Sequence, residues 1–191
     1  MKKLKIALVV GHTEKGDKGA FSETLKTTEF DYWLDVAKRI EKLGNVSVDI
    51  YDVFTHKIQS YYEREKALAD KINNSGIVYD AVFELHFNAA SPLANGTECL
   101  YWFGSKKGVQ IAKQISNHVA NVHGTTIRGV EGSRALVNKN DRGYWFTYLV
   151  KFPAVITELF FGSNKEDCQK FQDRDKVACT INNAILNLNI T

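Results

Sequence analysis

Proline is scarce in this sequence, with 2 prolines among 191 residues, and so is cysteine, with 3. No stretch has the composition of an interdomain linker, and the length suits one well-packed domain. We therefore predict that residues 1–191 form a single domain without a second module. The three cysteines have spacings typical of neither a disulfide framework nor a metal site, which predicts unpaired thiols and synthesis in a reducing cytoplasm.

Long apolar runs and a strong excess of charge are also absent. No run approaches the ~20 apolar residues of a membrane helix, so we expect no membrane insertion. The apolar run that follows Lys5 is too short for a signal peptide, so we expect synthesis in the cytoplasm without one. The net charge is +3 with acidic and basic residues interspersed, which argues against nucleic-acid binding. Nothing in the composition indicates an oligomeric state.

Apolar strand-like segments alternate with helix-like periodicity along the chain. Strands are predicted at residues 6–10, 46–53, 81–87, 97–103 and 154–160, and helices at 28–43, 61–73, 106–123 and 167–188. This alternation is typical of an α/β fold. We predict a single-domain three-layer sandwich with a twisted, mostly parallel (mixed) sheet flanked by helices.

Three possible metal ligands lie at the ends of predicted elements. His12 follows the first strand, Glu29 opens the first helix, and His86 lies at the end of a middle strand. In open α/β sheets, ligands bind beyond the carboxyl ends of the strands. Two imidazoles and one carboxylate are also a common ligand set of catalytic zinc, with a fourth position left open. Taken singly, each residue has an ordinary structural explanation, such as a carboxylate favoured by the helix dipole for Glu29.

A further carboxylate, Glu158, lies inside the apolar segment 154–160. A charge in a buried strand is costly unless it is paired or lies near a metal. Glu158 is therefore our candidate for the catalytic base that activates a water molecule. Glu84 and Glu14 are the alternatives for that role.

Four segments, in order and with compatible spacing, resemble the zinc N-acetylmuramoyl-L-alanine amidases of the amidase-3 type. The segments are Gly11-His12 with Asp17 to Ala20, Thr28 to Asp31, Glu84 to Ala89, and Pro153 to Asn164 with Glu166-Asp167. The resemblance implies one Zn²⁺ per chain, bound by His12, Glu29 and His86, with Glu158 as the catalytic residue. It also implies that the substrate is peptidoglycan, cut between N-acetylmuramic acid and L-alanine by one catalytic domain with no separate wall-binding domain.

The sequence departs from that family at some positions. Val10 stands where a proline often precedes the Gly-His pair, and Thr13 and Glu14 replace the usual glycines. The segment Arg142 to Phe146 looks closer to phage and prophage lysins. The resemblance therefore implies action on the cell wall after release of the phage type.

Other interpretations stay open from the sequence. A zinc carboxypeptidase-like or small-amide hydrolase would use similar ligands, and a wall-binding module without catalysis is a rival of another class. Arg128 and Arg142 would either bind a substrate carboxylate with two hydrogen bonds or pair with surface acids, and we favour the pairing. Tyr144 to Phe146 would form either a wall of the substrate site or part of the core.

Overall fold

In the computed structural model, which describes residues 3–51 and 61–190, helices cover both faces of a six-stranded sheet. The strands are β1 (Lys5–Val10), β2 (Phe21–Ser22), β3 (Thr27–Thr28), β4 (Ser47–Tyr51), β5 (Ala81–Asn88), β6 (Glu98–Trp102), β7 (Ser133–Leu136) and β8 (Ala154–Phe161). The helices are α1 (Glu29–Leu43), α2 (Tyr61–Asn73), α3 (Lys106–His123), α4 (Tyr144–Leu149), α5 (Lys165–Lys170) and α6 (Arg174–Leu186). The predicted α/β fold class is confirmed.

The strand order of the sheet is β4-β1-β5-β8-β6-β7. Neighbouring strands are parallel except for β6 and β8, which are antiparallel. The strands β1, β5 and β8 are almost continuously apolar and buried, as expected for parallel strands covered on both faces. Their carboxyl ends meet at one edge of the sheet.

Two apolar cores lie on the two faces of the sheet. On one face, Trp33 of α1 and Ile111 of α3 pack against Phe83 of the sheet. On the other face, Leu68 of α2 and Phe146 pack against sheet residues. Each such large apolar side chain contributes about 1.5–3 kcal/mol when it is buried. Two cores separated by one sheet make the three-layer arrangement that we predicted.

Helix α1 begins and ends as its sequence indicates. The Thr28 side chain accepts a hydrogen bond from the Asp31 amide, and Gly44 ends the helix with φ 69°, a conformation that costs glycine little. The Thr28 cap fixes the first turn of the helix and therefore places Glu29 at its N-terminus.

The predicted terminal helix over residues 167–188 is wrong in one respect, because the structure has two helices there. Helix α5 ends at Lys170, and α6 starts anew after Asp173, whose side chain accepts hydrogen bonds from the amides of Asp175 and Lys176. The helical spacing of apolar residues continues through the break between α5 and α6, so the sequence pattern does not reveal it. Strand β7 and helix α4 were not predicted, and residues 52–53 of the predicted second strand lie outside the described residues.

The cysteines are unpaired. Cys99 and Cys168 are buried thiols and Cys179 is exposed. Within the described ranges, no helix combines the length and the apolar character needed to cross a membrane.

Asp167 joins three parts of the chain, and its substitution tests the fold. Its buried carboxylate accepts hydrogen bonds from the amides of Gly96 (2.9 Å) and Phe161 (3.0 Å). Asp167→Ala leaves both amides unsatisfied, which should lower the free energy of unfolding by about 3 kcal/mol. Asp167→Asn, which keeps one acceptor oxygen, should lose less.

Urea unfolding monitored by circular dichroism measures these changes. The matched control is Glu166→Ala, because Glu166 is an exposed carboxylate in the same helical turn and its loss should cost less than about 0.5 kcal/mol. Equal stability of the two alanine variants would contradict the role that we assign to Asp167.

Candidate active site

The sheet brings two functional candidates, His86 and Glu158, to one face near the carboxyl ends of their strands. His86 of β5 is in register with Glu158 of β8, which is in register with Glu98 of β6. Residues in register on neighbouring strands point to the same face. His12 follows β1 by two residues, and Glu29 is the first residue of α1. Residues far apart in the sequence therefore meet at one place.

The Glu29 carboxylate lies between the two histidines. One oxygen, Oε1, lies 2.8 Å from His86 Nδ1, and the other, Oε2, lies 3.1 Å from His12 Nε2. The Phe87 amide donates to Oε1 at 3.0 Å and the Ala20 amide to Oε2 at 3.4 Å. The carboxylate is thus held in place from four directions.

Electrostatics favour the ionised form of this carboxylate. Burial alone would raise the pKa of Glu29, but the hydrogen bonds and charges of His12 and His86 outweigh it and lower the pKa to about 2. Burial likewise opposes a charge on His86, yet Glu84 and Glu29 raise its pKa well above the ordinary value. The site therefore attracts positive charge.

The outer ring nitrogen of each histidine faces a second carboxylate. Asp17 Oδ2 lies 3.2 Å from His12 Nδ1, and Glu84 Oε1 lies 3.3 Å from His86 Nε2. Glu84 is completely buried, and Arg64 Nη2 lies 3.7 Å from it. Carboxylates in such positions orient imidazoles that bind a metal through their other nitrogen. The inner nitrogens both face Glu29.

Two glycines make room for the histidine rings. A Cβ on Gly11 would lie 2.2 Å from His86 Cε1, and one on Gly19 would lie 2.6 Å from His12 Cδ2. Gly19 has φ 73°, and His12 itself has φ 71°, an uncommon conformation for a residue with a side chain. The backbone here is fitted to the position of the two rings.

The three residues suit a metal ion. One candidate ligand atom from each of His12, Glu29 and His86 lies within 4.8 Å of the others. Two imidazole nitrogens and one carboxylate oxygen match the donor set of catalytic zinc, in which a fourth position stays open for water or substrate. The outer carboxylates described above complete the surroundings that such a site requires.

Glu158 faces the same cavity and is chemically distinct from Glu29. Its Oε2 is shielded from solvent and has no hydrogen-bond partner among the described residues. Burial raises the pKa of Glu158 to about 8, and the charges of nearby carboxylates add to that effect while His86 opposes it. A carboxyl group of this kind is suited to accepting and returning a proton near neutral pH.

A cavity of about 370 Å³ joins these groups. Its lining residues are His12, Ala20, Glu29, Tyr61, His86, Phe87, Asn88, Ala89, Glu98, Leu100, Arg134, Leu136, Asp141, Arg142, Ile156 and Glu158. The structure thus brings all four residues singled out from the sequence into one cavity. Of the alternative bases, Glu84 contacts His86 from behind, and Glu14 is exposed and does not line the cavity.

The two arginines considered from the sequence have different surroundings. Arg128 pairs with the buried Glu98 at 3.1 Å and lies over the Phe161 ring. Arg142 instead lines the cavity, with its guanidinium 5.1 Å from the centre of the Tyr61 ring. Arg128 therefore pairs with a buried acid and not with the surface acid that we favoured, and among the described residues Arg142 has no ion pair.

In the aromatic segment, Tyr144 and Phe146 are buried, and only Trp145 is partly open, against Tyr62. Sequence reasoning assigned no role to Asp17, although this residue belongs to the first segment of the family resemblance, and it did not single out Arg64 or Arg134. Arg64 lies in a polar segment without a distinguishing pattern, and the four-residue strand β7 that carries Arg134 is too short to give one.

Known proteins share the sequence pattern and the fold of this chain. A family model described as N-acetylmuramoyl-L-alanine amidase matches residues 6–187. The solved catalytic domain of the CD27L endolysin, which targets Clostridia difficile, is 26% identical with a TM-score of 0.77, covering 98% of this chain and 99% of that one. No curated protein sequence is significantly similar to this chain.

Two further solved structures show the same fold. AmiC2 of Nostoc punctiforme, an N-acetylmuramoyl-L-alanine amidase, is 21% identical with a TM-score of 0.71, covering 97% of this chain and 96% of that one. Cwp6 from Clostridium difficile is 21% identical with a TM-score of 0.73 over 97% of this chain. This chain spans 29% of the Cwp6 chain.

Titration with Zn²⁺ tests the metal-binding cluster. The wild-type protein should bind one ion per chain, and His86→Ala should abolish stoichiometric binding because it removes one of three donors. Glu84→Gln should keep the donors but weaken affinity by about 10- to 100-fold, because the outer partner of His86 loses its charge. Competition with a chromophoric chelator measures both effects.

His118→Ala is the matched control, since this histidine lies on α3, outside the cluster, and its loss should leave zinc affinity unchanged. Full zinc occupancy in His86→Ala would show that the ligands are wrong.

Proposed function

We propose that this chain, which belongs to the N-acetylmuramoyl-L-alanine amidase family, hydrolyses the bond between N-acetylmuramic acid and L-alanine in bacterial peptidoglycan with one bound zinc ion. The observation that carries this proposal is the convergence of four side chains on one cavity. His12, Glu29 and His86 offer metal ligands there, and Glu158 offers a carboxyl group with a free oxygen.

His12, Glu29 and His86 would hold the zinc ion. When bound, zinc supplies a Lewis acid that acidifies a water molecule and polarises the amide carbonyl. The chain itself keeps these ligands ready for the metal. The lowered pKa of Glu29 keeps its carboxylate ionised, and Asp17 and Glu84 hold the two rings by their outer nitrogens.

Glu158 carries the proton in this mechanism. It accepts a proton from the attacking water as the oxygen forms a bond to the lactyl carbonyl carbon. It then donates that proton to the departing L-alanine nitrogen as the carbon–nitrogen bond breaks. The products are a free lactyl carboxylate on the glycan and a peptide with a free amino terminus. No covalent intermediate is required.

Mass spectrometry of digested peptidoglycan tests the cleaved bond. The amidase activity should yield intact stem peptides that begin with a free L-alanine amino group, together with glycan strands free of peptide. Release of single carboxyl-terminal amino acids, with the lactyl amide intact, would instead identify a carboxypeptidase-like enzyme and overturn the proposal.

Glu158→Gln tests the proton carrier. The substitution preserves the shape of the side chain but removes the group that accepts a proton, so wall hydrolysis should fall at least ~100-fold. Zinc content and melting temperature should stay near those of the wild type, because Glu158 is not among the proposed ligands. Wall hydrolysis is measured as the loss of turbidity of a wall suspension. Zinc content and melting temperature are measured on the same protein preparation.

A structural role for Glu158 predicts the opposite balance, with a lower melting temperature and near-normal turnover of the folded fraction. Hydrolysis at the wild-type rate would show that another group activates the water.

We further propose that the enzyme reaches the wall by phage-type release. The likeness to the catalytic domain of the CD27L endolysin supports this. Expressed in the cytoplasm of a bacterium whose purified wall it digests, the protein should leave cells intact until the membrane is permeabilised, and lysis should then follow within minutes. Wall digestion before permeabilisation would contradict this route.

A further inference from the structure

Two arginines line the cavity without a carboxylate partner among the described residues. The exposed side chain of Arg134, on β7, forms no hydrogen bond or ion pair with any residue in the ranges 3–51 and 61–190. Arg142, in the loop before α4, lies over the face of the Tyr61 ring and has no ion pair within the same ranges. Stacking on an aromatic face holds a guanidinium in position while its edge N–H groups stay free to donate.

Apart from Glu158, the acids of the same cavity are already engaged. Glu29 is held by the two histidines, and Glu98 is paired with Arg128. Asp141 accepts hydrogen bonds from the amides of Val137 (3.1 Å) and Asn138 (3.0 Å) through Oδ2. The cavity therefore has one end rich in carboxylates and imidazoles, and another end where two guanidinium groups outnumber the single carboxylate of Asp141.

The register of the sheet gives the distance between these ends. Arg134 is in register with Leu100 of β6, which is in register with Ile156 of β8, two residues before Glu158. Strand β7 is thus two strands from β8, about 10 Å away at the usual strand spacing. An extended peptide advances about 3.5 Å per residue, so two or three residues span that distance.

We propose that Arg134 and Arg142 form a subsite that binds a carboxylate of the wall peptide, two or three residues beyond the bond that is cut. The proposal rests on the proposed function, because it assigns the peptide side of that substrate to this end of the cavity. Guanidinium groups recognise carboxylates with paired hydrogen bonds. Two of them on separate elements distinguish an acidic peptide from its amidated form, which carries no charge at that position.

Binding of the released peptide tests this subsite independently of cleavage. The probes are two synthetic stem peptides of identical sequence that begin with L-alanine, one with free carboxyl groups and one with every carboxyl amidated. Calorimetry with the zinc-loaded wild-type protein at 0.15 M salt should show about tenfold tighter binding of the acidic form, because the sites are exposed and ion pairs there are modest. Arg134→Gln and Arg142→Gln should each lower that ratio severalfold, and the double variant should bring it to about one.

The matched control is Lys38→Gln, which removes one positive charge from an exposed position of α1, against the opposite face of the sheet. At this ionic strength the Debye length is about 8 Å, so the control should keep the wild-type ratio. With muramoyl forms of the two peptides as substrates, the arginine variants should raise KM for the acidic form and leave kcat nearly unchanged.

Equal binding of the two peptides by the wild type would overturn the subsite. The subsite would also be overturned if the arginine variants weakened the binding of both peptides equally. The same holds if Lys38→Gln lost the preference for the acidic peptide as the arginine variants do. A wild-type protein that prefers the acidic peptide but leaves the muramoyl amide uncut would retain the subsite and overturn the proposed function instead.

Discussion

The carboxylate of Glu29 is the group on which the arrangement of the site depends. It contacts both histidines and accepts the amide of Phe87, so it ties the start of α1 to β5 and to the residues after β1. A buried carboxylate would be costly without such partners. Glycine at positions 11 and 19 is what lets the rings approach it. Glu29, Asp17 and Glu84, which contact the two histidines, outnumber Arg64, the permanently charged base beside Glu84, and a divalent cation would balance that excess.

Much of this arrangement can be predicted from the sequence, because the signals are local. The apolar run before Gly11, the caps of α1 and the single carboxylate of the apolar strand β8 each have a physical cost or preference that the sequence alone reveals. Of the four central side chains of the site, His12, Glu29 and Glu158 belong to or border these segments, and the structure brings them together with His86 of β5.

The features that sequence reasoning missed depend on tertiary contacts. The break between α5 and α6 rests on a cap by Asp173 inside a segment whose apolar spacing never changes. Arg64 matters because α2 packs where Glu84 needs a counter-charge. Arg134 and Arg142 acquire their surroundings only when β7 and the loop before α4 close the cavity. The spacing of residues along the chain does not predict these tertiary contacts.

The position of β8 in the sheet also determines when the site can exist. Strand β8 lies between β5 and β6, although β5 and β6 precede it in the chain by dozens of residues. From the synthesis of His86 until β8 is complete, a growing polypeptide therefore carries His12, Glu29 and His86 while the centre of its sheet is incomplete. Closing the sheet requires long-range pairing, which is slow compared with local folding. The insertion of β8 thus brings Glu158, which would move the proton, to the residues that would bind the metal. This step comes late in folding. A ribosome-bound or truncated chain that lacks β8 would lack Glu158, the proposed proton carrier.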